Sequence, residues 1–133
     1  MTEVDLAKLE LFEGFSSGEL ERVRAMAEEV VAEPGAILME QGDVGQEMFV
    51  VCSGQASVIV NGHRVAAVGP GSTLGEMAML ELRPRSATVK AITDLELLSF
   101  DHRRFHELLE TMPEAAERIA RRTAEHRQEN KQL

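Results

Sequence analysis

Apolar residues along this chain recur first at a helical period, then at shorter intervals, then at a helical period again. Residues 4–11 read as a short helix leading into Phe12 and Phe15, and Leu20, Val23 and Met26 or Ala27 then fall on one face of a 3.6-residue period. Ser16, with Glu19 three positions later, has the spacing of a capping box, which fixes the start of this second helix. From residue 30 the apolar runs shorten and glycine-bearing turns separate them. Val30-Val31, Pro34-Gly35 and residues 36–39 predict strand, turn and strand. Further strands are predicted over 48–52, 56–60, 64–68, 87–92 and 95–100. Asn61-Gly62 joins two of them as a type I′ hairpin, in which both central residues need positive φ. Many short strands at regular spacing indicate a sandwich, barrel or jelly roll. Beyond them Asp101 can cap a helix from His102 to about Thr111, with Phe105, Leu108 and Leu109 on one side. Pro113 suits the start of a last helix running toward Gln128. The apolar stripe of that helix, Ala116, Ile119, Ala120 and then Thr123, is thin, so it is expected to rest loosely on the sheet or on another copy of itself.

Composition narrows the class without naming a function. A chain of 133 residues fits one domain with a real core but not two. An apolar fraction of 44% with 28% charged residues is that of an ordinary globular protein, and no apolar run is long enough to cross a bilayer. The N-terminus lacks the basic and apolar regions of a secretory signal, which makes the cytoplasm the expected compartment. Cys52 is the only cysteine, excluding an intramolecular disulfide, and alternation places it in a packed strand as an inert thiol. The formal charge of −9 repels nucleic acid but leaves a small anionic ligand open, because local donors decide that.

Residues 75–91 carry the candidate chemistry. Gly75 lets the backbone turn and approach a ligand closely, and Glu76 follows at the start of a short helical turn. The first N–H groups of such a turn, beside Met77 and Ala78, lack intrahelical partners and attract anions. Arg85 adds a planar fork that can grip two phosphate oxygens, and Ser86 offers a hydroxyl to the same group. A carboxylate facing a phosphate is costly, so the natural partners of Glu76 are sugar hydroxyls or the guanidinium itself. An anion acceptor and a hydroxyl acceptor in one loop suggest a nucleotide.

The segment resembles the phosphate-binding cassette of cyclic nucleotide-binding domains. The family pattern is Gly-Glu, small and apolar residues, a variable turn, then Pro-Arg-(Ala/Ser/Thr)-Ala. Its two halves stand here as Gly75-Glu76-Met77-Ala78-Met79-Leu80 and Pro84-Arg85-Ser86-Ala87-Thr88, with Arg85 nine positions after Glu76. Gly42-Asp43, Gly45, Met48-Phe49-Val50-Val51 and Gly54 match the strand and turn positions that precede the cassette, so the resemblance covers nearly the whole chain. It implies a mainly β α+β fold: a jelly roll flanked by N-terminal helices and two C-terminal helices, with a short helix in the cassette. The expected division of the single domain 1–133 is N-terminal helices over 1–28, jelly roll over 29–100 with the cassette at 74–91, and C-terminal helices over 101–130.

By the same resemblance, Glu76 and the Gly75 carbonyl receive the ribose 2′-hydroxyl, while Arg85, Ser86 and the Ala78 N–H bind the cyclic phosphate, with Met77 and Ala87 beside them. Leu74 stands where family members often carry Phe and is a candidate for base contact. Many members cap the base with an aromatic residue, but this chain has no Trp or Tyr and no Phe beyond Phe105. Arg122, Thr123, His126 and Arg127 on the last helix are the other candidates, an arginine stacked on a purine being the most physical option. Arg83 is a loop residue beside the cassette, equally readable as solvated. His102 and His106, one helical turn apart, read as a satisfied surface pair, since no third metal ligand accompanies them.

The expected function is therefore a non-enzymatic sensor for a cyclic nucleotide, cyclic AMP with cyclic GMP as the alternative ligand, which signals to a protein effector through its terminal helices. No metal or catalytic cofactor is expected, nor any membrane or DNA binding by this chain, since related regulators carry their DNA-binding module after the long helix. A homodimer through the C-terminal helix is the expected form of any self-association. The competing expectation is a jelly-roll interaction module that does not bind nucleotide.

Overall fold

A computed structural model describes the backbone of residues 4–132 and the side chains of residues 4–125. Two antiparallel four-stranded sheets face each other. The first runs in the order β1 (Glu28–Ala32), β8 (Leu95–Asp101), β3 (Glu47–Ser53), β6 (Thr73–Leu74). The second runs β2 (Ile37–Met39), β7 (Thr88–Ala91), β4 (Ala56–Val60), β5 (His63–Val68). Helices α1 (Ser17–Met26), α3 (His102–Leu109) and α4 (Pro113–Gln132) flank the roll, and the four-residue α2 (Met77–Leu80) lies in the cassette.

The two central strands of the first sheet explain the layering. In β3 nearly every position is buried, with Phe49 and Val51 facing the second sheet and Met48, Val50 and Cys52 joining the helices' core. β8 repeats the pattern, with Leu95 and Leu97 inward to the roll and Leu98 and Phe100 toward the helices. Cys52 is buried, as its strand position predicts, and burial pushes its thiol pKa up. On the helical side Phe12 is the hub, with its ring centroid 5.4 Å from Phe15 and 6.0 Å from both Phe100 and Phe105.

Local signals hold where one residue's chemistry decides the backbone. Ser16 and Glu19 form the reciprocal capping box, and the Asp101 carboxylate accepts from the Arg104 N–H at 3.1 Å. Asn61 and Gly62 take φ 51° and 80°, the hairpin geometry their pair demands.

Two expectations are corrected. The segment before Phe12 is two 3₁₀ turns, Leu6–Lys8 and Glu10–Phe12, separated by Leu9 in extended conformation, because Leu6, Leu9 and Leu11 all turn inward and a straight helix cannot point them there together. The strand, turn and strand at 30–39 are present as expected, with β1 pairing with β8 and β2 with β7 in different sheets. The last helix is anchored: Ala115 and Ile119 are buried beside Met112, and Arg122 bonds the Glu10 carbonyl at 2.9 Å.

Candidate functional site

Gly75 follows β6 with φ 71°, a left-handed conformation in which a side chain is strained, and it turns the chain from the sheet into α2. The returning arm is pinned to the turn before β3. The Arg85 N–H donates to the Asp43 carbonyl at 2.7 Å, the Gly42 N–H donates to the Arg85 carbonyl at 2.8 Å, and Pro84 pairs with Val44. These bonds fix the backbone of Arg85 at the edge of a cleft of about 650 Å³ between the cassette and the second sheet.

Arg85 is only 8% exposed, the one buried charged residue among those described. Its guanidinium lies in a slot made by two glycines: a Cβ on Gly45 would overlap Nε, Cζ and Nη2, and a Cβ on Gly75 would overlap Nη1. Nη2 donates to the Glu47 carbonyl at 2.7 Å and stands 3.7 Å from the Glu47 carboxylate, while Nη1 reaches the Gly75 carbonyl at 3.5 Å. Nε is buried with no hydrogen-bond partner. Burial pushes the guanidinium pKa down and the Glu47 carboxylate draws it back up; an arginine stays charged under either influence. A buried cation held by backbone carbonyls and left with one unmet donor has the chemistry to accept an anion.

The other cassette residues gather around it. Gly75, Glu76, Met77, Ala78, Ser86 and Ala87 all line the cleft, with Glu76 half-buried at the N-cap of α2 and making no capping bond through its side chain. The Ala78 N–H already donates to the Gly75 carbonyl at 3.0 Å, so these two groups, expected to meet different parts of a ligand, here meet each other. Glu81 and Arg83 line the mouth, their charged ends 4.0 Å apart. The opposite wall is aliphatic: Met39, Val58, Val68, Leu74 and Val89. Leu74 thus stands on the apolar wall of the cleft.

Arg122 and Thr123 do not reach the cleft. Arg122 is drawn to Glu10, its Nη2 at 3.4 Å from the carboxylate, and the Thr123 hydroxyl donates to the Ile119 carbonyl at 2.9 Å. Arg122 is thus held on the N-terminal turns and Thr123 within α4 itself. His126 and Arg127 lie outside the residues whose side chains are described. Sequence reasoning missed Glu47, the slot role of Gly45, and the wall residues Met39, Val58 and Val68, all contributed by segments distant in sequence from the cassette.

A second hollow of about 500 Å³ is lined by Glu28, Glu47, Asp101, Arg103, Arg104 and Glu107. Its opposite charges are paired, Arg104 with Glu28 at 3.0 Å and Arg103 with Glu107 at 3.1 Å. Among the described residues no group of three or more His, Cys, Asp or Glu is placed to hold a metal ion, and no helix is long and apolar enough to cross a membrane.

The family model for the cyclic nucleotide-binding domain matches residues 29–112, from β1 through α3. The chain belongs to the cyclic nucleotide-binding domain family. It is 38% identical over 123 residues to a cyclic nucleotide-gated potassium channel of Rhizobium etli, covering 92% of this chain and 34% of the channel. Among solved structures it is similar to the N-terminal domain of a transcriptional regulator from Streptomyces coelicolor A3(2), with TM-score 0.81 and 29% identity over 96% of this chain and 93% of that one. It also resembles the Thermus thermophilus catabolite activator protein, with TM-score 0.71 and 28% identity over 91% of this chain and 59% of that one. The chain spans about a third or less of the length of the curated relatives it matches. Domains of this family are regulatory, and the mainly antiparallel roll with flanking helices is the family fold.

Proposed function

We propose that this chain is a cyclic AMP sensor whose cassette grips the cyclic phosphate through Arg85 and Ser86. The observation that carries this reading is the buried guanidinium with an unpartnered Nε beside a cleft of nucleotide size. A phosphate entering there replaces the half-exposed Glu47 carboxylate as counter-ion, while Glu76 and the Gly75 carbonyl accept from the ribose 2′-hydroxyl. For that the Gly75 carbonyl and the Ala78 N–H must part, so α2 shifts as the ligand binds. The base lies on the aliphatic wall with Leu74, an apolar surface that holds either purine. Ser86 lacks the methyl that fixes a threonine rotamer and can serve a guanine amino group less well, so cyclic AMP binds at least as tightly as cyclic GMP.

Ala78, Met79 and Leu80 share one core cluster with Phe105, Leu109, Met112, Ala115 and Ile119, which supports transmission of occupancy to α3 and α4. The output is then a change in the surface offered to a protein effector or to α4 of a second copy. On this reading the chain is a cytoplasmic binding module rather than an enzyme, one domain over 1–133, with no DNA or membrane contact of its own. Calorimetric titration with cyclic AMP and cyclic GMP tests it. One saturable site, filled by cyclic AMP at equal or lower concentration than cyclic GMP, is expected; no heat with either would leave an interaction module that keeps the fold alone.

A further inference from the structure

His102 and His106 face the cassette rather than solvent. The His102 Nδ1 is hydrogen-bonded to the Ala78 carbonyl, and the His106 Nε2 to the Met79 carbonyl at 2.7 Å. A carbonyl only accepts, so each of those ring nitrogens carries the proton. Ala78 and Met79 belong to the four-residue α2, whose closing carbonyls have no partner within so short a helix. Both residues are buried, so without the imidazoles these acceptors would be left unmet. The two rings lie 4.3 Å apart, and Phe105 in the core supports His106 edge-on at 5.7 Å. The backbone completes the arrangement: the His102 N–H donates to the Gln46 carbonyl at 2.7 Å, next to the Glu47 carbonyl that holds Arg85.

From this geometry we infer that His102 and His106 are positioning residues that tie the end of the cassette helix to α3 and so pass its movement to the C-terminal helices. The inference rests on the nucleotide-binding reading above. Apolar packing alone lets α2 slide beneath α3, because contacts of this kind have no direction. Two directed bonds to consecutive carbonyls do not. When Arg85 leaves Glu47 and α2 shifts, the first turn of α3 is pulled at both its side chains and its Gln46 anchor. The sequence pattern of two histidines one turn apart is thereby accounted for without a metal.

Hydrogen exchange on the full chain, without and with saturating cyclic AMP, tests this in the parent, in His102→Leu/His106→Leu and in His102→Asn/His106→Gln. Asparagine and glutamine each retain an N–H donor near the imidazole nitrogen they replace. In the parent, ligand changes exchange at residues 75–81 and, by about fivefold or more, at residues 102–125. The leucine pair keeps the first response and loses the second, and the Asn/Gln pair keeps both. If circular dichroism finds the leucine pair unfolded, His106→Leu against His106→Gln gives the same comparison. Transmission in full by the leucine variants, or its loss in the Asn/Gln pair, overturns the inference while the binding reading stands. A parent that takes up no cyclic AMP in calorimetry overturns both.

Discussion

The first sheet and the cassette share one apolar core but differ in what else holds them. In β3 and β8 the strands bury both faces, so Met48, Val50, Val51, Leu97 and Phe100 are 0% exposed and the region is stabilised by apolar area. In the cassette, directed bonds are added to the apolar burial of Ala78, Met79 and Leu80: Arg85 to Asp43, Glu47 and Gly75 on one arm, and α2 to two histidines on the other. It also contains a buried donor without a partner, which no part of the sheet core shows among the described residues. A region of the first kind resists change, and one of the second kind has alternatives of similar energy when a better acceptor arrives.

This contrast is testable by substitution, beginning with the core. Phe105→Ala removes a fully buried ring that joins α3 to Phe12, and its stability loss should be about 3 to 5 kcal/mol in denaturant unfolding. A loss near 1 kcal/mol would mean the helical core is looser than its burial indicates. Arg85→Ala should do the reverse. It costs binding about 2 to 5 kcal/mol, roughly thirty-fold to several thousand-fold in Kd for cyclic AMP. Its effect on unfolding should be small, since removing an incompletely paired buried cation also relieves its desolvation. Parent-like affinity in this variant would place the site elsewhere.

Glu76→Ala ranks next, on the order of 1.5 to 3 kcal/mol of binding, because a carboxylate accepting from hydroxyls contributes without neutralising the ligand. Titration beside the Arg85 variant gives the ratio. Smallest is Glu47→Gln. The carboxylate is about half exposed at 3.7 Å from Arg85, and on the proposed reading it competes with the phosphate, so its loss should tighten binding by about 0.2 to 1 kcal/mol. Weaker binding in Glu47→Gln would show that Glu47 positions Arg85 rather than competing for it.

The same division explains what the sequence made legible. Strands at 48–52, 56–60 and 95–100 were readable because short apolar runs separated by turn residues are local signals, and the caps at Ser16 and Asp101 because one side chain meets its own helix. The cassette residues were readable from spacing within one loop. Glu47 was not, since its link to Arg85 spans 38 positions, and neither was the two-residue β6, too short for any period. The placement of Arg122 on Glu10, 112 positions away, likewise follows from packing that no local pattern encodes.

A phosphate in the Arg85 slot is what separates a nucleotide sensor from an empty scaffold. Calorimetric titration of the parent chain with cyclic AMP, and separately with adenosine, separates the phosphate from the rest of the ligand. Cyclic AMP should saturate one site per chain, with adenosine giving no measurable heat at the same concentrations. Equal binding of the two, or none of either, would contradict it.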